Sequence, residues 1–100
     1  MQAAIEALSH PTRRAILRLV LDRELPVGAL AQQTGVSQPA ASQHLKVLRD
    51  AGLVQGRVEG RRRLYQVDLQ GLQRLRAELD TLWEPALLAL KQATEASDRP

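Results

Sequence analysis

The chain contains no cysteine and no phenylalanine, and Tyr65 and Trp83 are its only aromatic residues. Without a thiol there is no disulfide framework, no thiolate metal site and no thiol-based redox switch. With so few rings, any core has to be built from leucine, isoleucine, valine and alanine, a composition that suits packed helices. No apolar run reaches the length of a membrane span. The opening MQAAIEALSH has neither the basic start nor the apolar stretch of a secretory leader, so a soluble cytoplasmic protein with no membrane partner is expected. Nor is there a Ser/His/Asp grouping, a glycine-rich phosphate loop or a cluster of metal-type ligands. That argues against an enzyme and leaves no cofactor or metal to place.

What the chain does have is uneven charge. One hundred residues make a single domain, 1–100, and at that size a monomer leaves much apolar surface uncovered. The net charge of +3 hides a division: residues 1–77 carry 12 basic against 6 acidic groups, whereas residues 78–100 carry 2 against 5. Nucleic acid would meet the basic part.

The stretch GVSQPAASQHLKVLRDAGL, residues 35–53, is the one the rest is arranged to present. Ser37 suits a helix cap, Pro39 a first turn and Gly52 a left-handed stop, so residues 37–51 read as one helix. At 100° per residue Ala41, Leu45 and Leu48 share a narrow stripe, while Gln38, Ser42, Gln43, Lys46 and Arg49 share an opposite arc of roughly 140°. That arc holds amides, a hydroxyl and cations but no carboxylate except Asp50 at its far end, the set that suits base edges and phosphates in a major groove. Val27 to Gln33 gives two turns before it, and Thr34 to Val36 a tight turn. A short helix, a glycine turn and a polar-faced second helix make a helix-turn-helix over about 27–51.

Upstream, Ala3, Ala4, Ile5 and Leu8 make a helix too short to stand alone. Pro11 to Val20 follows as a core helix with Arg13, Arg14 and Arg18 on its flank. Downstream the period becomes alternating: about 53–67 reads as two strands joined at Glu59 and Gly60, a β-hairpin whose tip and second strand carry Arg61, Arg62 and Arg63. A hairpin directly after a reading helix is a wing, whose arginines would lie along phosphate or enter the adjacent minor groove. From about 69 to 95 the apolar residues Leu72, Leu75, Leu79, Leu82, Ala86, Leu90 and Ala93 recur three and four apart, as in a helix-pairing seam. Pro85 inside that seam either kinks the helix or divides it. The tail from Ala96 to Pro100 has no packing signal, so fraying is expected there.

Plainer readings compete at several positions. His44 is about 60° from the apolar stripe and suits packing better than ligation, and His10 suits a helix start. Glu78, Asp80 and Glu84 read as a solvated face rather than as acid/base groups or ligands. Trp83 suits interface packing, with a ligand-pocket wall as the alternative. A winged helix turned protein-interaction module would be the rival function, but it should expose apolar residues where this chain has its polar arc.

Three segments, ALSHPTRRAILRLV, ELPVGALAQQTGVSQPAASQHLKVLRDAGLV and GRVEGRRRLYQVD, together spanning roughly residues 4–68, resemble the ArsR/SmtB-type winged-helix repressors of bacteria in order, spacing and residue type. The resemblance implies a mainly α fold with a small β-hairpin, in the order α-α-α-α-β-β-α. It implies a homodimeric repressor of double-stranded DNA with an inverted-repeat operator. Gln38, Ser42 and Gln43 would face bases, and Ser37, His44, Lys46, Arg57, Arg61, Arg62 and Arg63 the backbone. The first and last helices would pair through Ile5, Leu8, Leu72, Leu75, Leu79, Leu82, Trp83 and Leu90. Where metal-sensing relatives carry two cysteines, this chain has Pro26 and Gly28, and no histidine falls between residues 69 and 95. Metal sensing through those sites is therefore not expected. Release from DNA would rest on an unidentified small-molecule effector, a protein partner or protein concentration.

Overall fold

The structure, a computed structural model, describes residues 2–97. Its elements run α1 (Gln2–Ala7), α2 (Pro11–Leu19), β1 (Leu25–Pro26), α3 (Val27–Thr34), α4 (Gln38–Asp50), β2 (Val54–Glu59), β3 (Arg62–Val67) and α5 (Leu69–Ser97). Ile16 and Val20 on or just after α2, Leu30 on α3, Leu45 and Leu48 on α4 and Leu53 after it are essentially fully buried and form an aliphatic core.

Capping explains where the helices begin and end. His10 Nδ1 accepts from the Thr12 amide at 3.1 Å, and Pro11 fills the first helical position of α2. Like any helix, α1 leaves its last carbonyls without intrahelical donors. Two arginines of α2 supply donors instead: Arg13 donates to Ala7 O through Nε and to Glu6 O through Nη2 (3.1 Å), and Arg14 Nη1 donates to Leu8 O at 2.8 Å. The expected basic flank of α2 is thus partly spent on holding α1. Helix α3 stops at Gly35, φ 75°, whose amide bonds Ala31 O at 2.9 Å. Ser37 Oγ accepts from the Ala40 amide at 3.2 Å to start α4. At its end the Gly52 amide reaches Arg49 O and the Leu53 amide reaches Leu48 O, both at 2.9 Å, with Gly52 at φ 78°. This is a Schellman stop, and Leu48 and Leu53 are both buried as that motif favours.

The sheet has three strands in the order β1-β3-β2, all antiparallel. Leu25 and Pro26 form the third strand, paired with Tyr65 and Leu64 of β3. A proline fits there because it sits on a sheet edge. The hairpin turn falls on Gly60 and Arg61, since Glu59 still pairs with Arg62. Gly60 takes the left-handed φ of 62° that the turn requires.

Asp68 Oδ1 accepts from the Gly71 amide at 3.2 Å to open α5. This helix of 29 residues passes through Pro85 undivided, which answers the choice the sequence left open. Proline leaves the Thr81 carbonyl without its intrahelical donor. Every residue from Arg76 to Ala96 is exposed, so the break falls in a stretch open to solvent. At 1.5 Å per residue the helix is about 43 Å long, and it draws the protomer out to 68 Å in its longest dimension. The helix includes Ala96 and Ser97; the rest of the tail expected to fray lies outside the described residues.

Candidate nucleic-acid interface

Helix α4 presents its two faces as its sequence spacing requires. Ala41, Leu45 and Leu48 are buried against α2 and α3, while Gln38, Ser42, Gln43, Lys46 and Arg49 are exposed. Ser37 sits just ahead of them with its hydroxyl oxygen accepting the capping bond. Gln38 is not loose in solvent. A β-carbon built on Gly28 would lie 3.1 Å from Gln38 Nε2, so the amide folds back over the first turn of α3. A larger residue at position 28 would push it away.

His44 is half-buried on the side of α4 that meets α2, its ring centroid 4.7 Å from that of His10 and tilted by 48°. Burial lowers its pKa from the ordinary 6.5, and the nearby His10 and Arg13 lower it further. One part of the ring is packed against His10, and the rest stays open to solvent beside the polar face of α4.

The wing separates its arginines into two kinds. Arg61, Arg62 and Arg63 are exposed at and beside the Gly60 turn, and no ion pair holds them among the described residues. Arg63 lays its alkyl stem over Gly56, where a β-carbon would stand 3.3 Å from Arg63 Cδ. Arg57 differs. Expected on the DNA backbone, it is closed on Glu24 and Glu59 instead. Glu24 has no sequence signal pointing to Arg57, because the two are brought together only by the three-stranded sheet.

The expected pairing surface also divides. Leu75 is buried, and Leu8 and Leu72 pack against the protomer's own core. Ile5, Leu79, Leu82, Trp83 and Leu90 are exposed, and so are Leu87 and Leu88, which the three-and-four spacing had not included. Near its start α5 therefore completes the protomer, and beyond Leu75 it shows apolar side chains to solvent.

Among the described residues no group of three or more His, Cys, Asp or Glu side chains is arranged to hold a metal ion, and no helix is long and apolar enough to cross a membrane. Pro26 stands at the N-cap position of α3 without a side-chain capping bond, and Gly28 lies under Gln38.

A trihelical core, a polar second helix and an arginine-tipped hairpin define a winged helix-turn-helix of the DNA-binding class. Residues 10–55 match the sequence profile described as "Bacterial regulatory protein, arsR family". The chain is 47% identical over 93 residues to the HTH-type transcriptional regulator Rv2034 of Mycobacterium tuberculosis, covering 93% of this chain and 87% of that one. Among solved structures, one described as a possible transcriptional regulator for arsenical resistance superposes with a TM-score of 0.75 at 41% identity, covering 91% of this chain and 96% of that one. Another is the homodimeric winged helix-turn-helix DNA-binding domain of a possible ArsR-family regulator from Mycobacterium bovis (TM-score 0.68, 32% identity, 83% and 77% covered). The chain belongs to the ArsR family of bacterial transcriptional regulators, a family of DNA-binding proteins rather than enzymes.

Proposed function

We propose that the protein is a homodimeric repressor that acts in the cytoplasm by occupying an inverted-repeat operator. The observation that carries this reading is the pairing of a reading surface of amides, a hydroxyl and cations, with Asp50 at its far end as the one carboxylate, with a cationic wing. Gln38, Ser42, Gln43 and Lys46 stand exposed on α4, and among the described residues Arg61 to Arg63 stand free of ion pairs at and beside the hairpin turn. Gln38, Ser42 and Gln43 read base edges. Ser37, Lys46 and the three tip arginines hold phosphate, and His44 approaches the backbone from the α2 side.

Dimerisation is supported by the bare apolar surface of α5. Leu79, Leu82, Trp83, Leu87 and Leu90 lie within one arc at helical spacing, and Ile5 on α1 adds to the exposed apolar surface. Two copies paired there carry two reading helices, and a two-fold operator with half-sites about 34 Å apart matches them. The test is a footprint on the DNA flanking the protein's own gene, with sedimentation of the same sample. A symmetric protected site and a dimer at micromolar concentration are expected; a monomer on one asymmetric half-site would refute the reading.

A further inference from the structure

Glu24 and Arg57 lie 33 residues apart and are joined across the sheet. The register sets Pro26 and Arg57 opposite the same residue, Leu64, from the two sides of β3. Glu24, two residues before Pro26, projects from that same face. The guanidinium grips the carboxylate with two donors, Nε to Oε2 at 2.5 Å and Nη2 to Oε1 at 3.0 Å, and Nη2 also meets Glu59 Oε2 at 3.3 Å. A two-donor fork on a pair of oxygens is the geometry arginine offers to phosphate. Each partner favours the charged form of the other: the Arg57 hydrogen bonds hold the Glu24 carboxyl below its ordinary pKa, and those to Glu24 raise that of Arg57.

We infer that Glu24 is a specificity-determining residue, which occupies the guanidinium of Arg57 in place of a DNA phosphate and so withholds one sequence-independent contact from the wing. The inference rests on the DNA-binding reading above. Phosphate contacts strengthen binding to every sequence alike, whereas the base-edge contacts of α4 strengthen binding to one. An acid that cancels a wing cation therefore lowers the background without touching the reading face. Arg61, Arg62 and Arg63 have no such acid among the described residues and supply the wing's contacts. The rival role for the pair is a brace that fixes the wing's angle, and the two roles differ in sign. Losing a brace weakens binding, and losing a competitor strengthens it.

The intact protein and its variants are titrated onto a mixed-sequence DNA duplex at a series of salt concentrations. Glu24→Gln should steepen the slope of log K against log[salt] by about 0.9, so that its advantage over the native protein changes about threefold between about 50 and about 200 mM salt. Adding Arg57→Gln to that variant should return the slope to the native value. Glu24→Asp, one methylene short of the two-donor grip, should move the slope in the same direction as Glu24→Gln. Neither side chain belongs to the core, so thermal melts serve as the control that each variant is folded. A slope for Glu24→Gln equal to or shallower than native overturns the inference and leaves the pair a brace. A native protein without any salt-dependent binding to duplex would overturn the DNA-binding reading itself, and this outcome differs from the previous one.

Discussion

Gly71 meets the backbone of Gly52 so closely that a β-carbon on Gly71 would fall 1.6 Å from the Gly52 carbonyl oxygen. The contact joins the stop of α4 to the first turn of α5, the helix that supplies the exposed apolar face. Together with the Asp68 amide bond to Leu53 O at 2.9 Å and Leu75 in the core, this approach ties the end of the reading helix to the helix proposed for dimerisation.

Gly71→Ala is therefore expected to destabilise the protein, against its local preference. Alanine is favoured over glycine inside a helix by about 1 kcal/mol, but the obstacle is a backbone carbonyl that cannot rotate away, and overpacking costs about 1–3 kcal/mol or more. The steric term wins. A lower Tm on thermal unfolding is the expected result, and a raised Tm would show that the two backbones can separate freely.

Base reading and phosphate holding should separate by mutation. Gln38→Ala or Ser42→Ala should cost about 1–3 kcal/mol on the operator and flatten its base preference. Arg61→Ala or Arg62→Ala should weaken binding to all sequences alike and make the salt slope shallower by about one contact. Gly28→Ala adds an indirect case, because its β-carbon would press on the Gln38 amide while leaving the wing untouched. It should lower operator affinity with the salt slope unchanged. Binding isotherms on operator and mixed-sequence duplex decide it: wing variants that alter base preference while Gln38→Ala does nothing would reverse the roles assigned to helix and wing.

His44 should make the fold sensitive to mild acid. Its pKa is lowered in the folded protein, by burial first and then by His10 and Arg13, so as pH falls through the ordinary value of 6.5 the unfolded chain takes up its proton first. Stability is lost over the interval down to the folded-state pKa, and the loss is complete below it. His44→Asn removes that loss. The Tm of the native protein should therefore drop relative to the variant between about pH 8 and about pH 5; a constant difference across that range would show that the imidazole titrates as freely folded as unfolded.

How far the sequence foretold these sites follows from the range of each interaction. The faces of α4, its Ser37 cap and its Gly52 stop depend on neighbours within one turn, and spacing alone places them. The arginine-tipped hairpin is likewise local. By contrast, the Glu24–Arg57 pair and the Gly52–Gly71 approach join elements distant in the chain, and no periodicity carries either. Leu25 and Pro26 are too short to alternate, so they became a strand only when β3 was present to receive them. Arg13 and Arg14 look like a basic surface because sequence cannot show that the carbonyls of α1 lie within their reach. In the apolar series of α5, three-and-four spacing gives the face but not the point where the protomer's own core ends, which is after Leu75.

The absence of thiols and of imidazoles on α5 leads to the last prediction, that zinc, cadmium and arsenite do not release this protein from DNA through the sites that its resemblance to the family suggested. One of those positions is Pro26, which stands just before α3 and pairs with Leu64 on β3, and the other is Gly28, covered by the Gln38 amide. Neither offers a donor atom on its side chain. On α5 the charged groups Glu78, Asp80 and Glu84 are carboxylates without a histidine between them, and oxygen ligands alone suit calcium or magnesium better than zinc. His10 and His44 do lie together, but Arg13 acts on the same imidazole, and a fixed cation beside a two-histidine pair opposes a divalent ion. Titrating each metal into the protein on its operator should leave DNA affinity unchanged. A stoichiometric ion that lowered that affinity tenfold, about 1.4 kcal/mol of coupling, would refute the prediction. Loss of the same effect in His44→Asn would then locate the ion at the one imidazole pair in the chain.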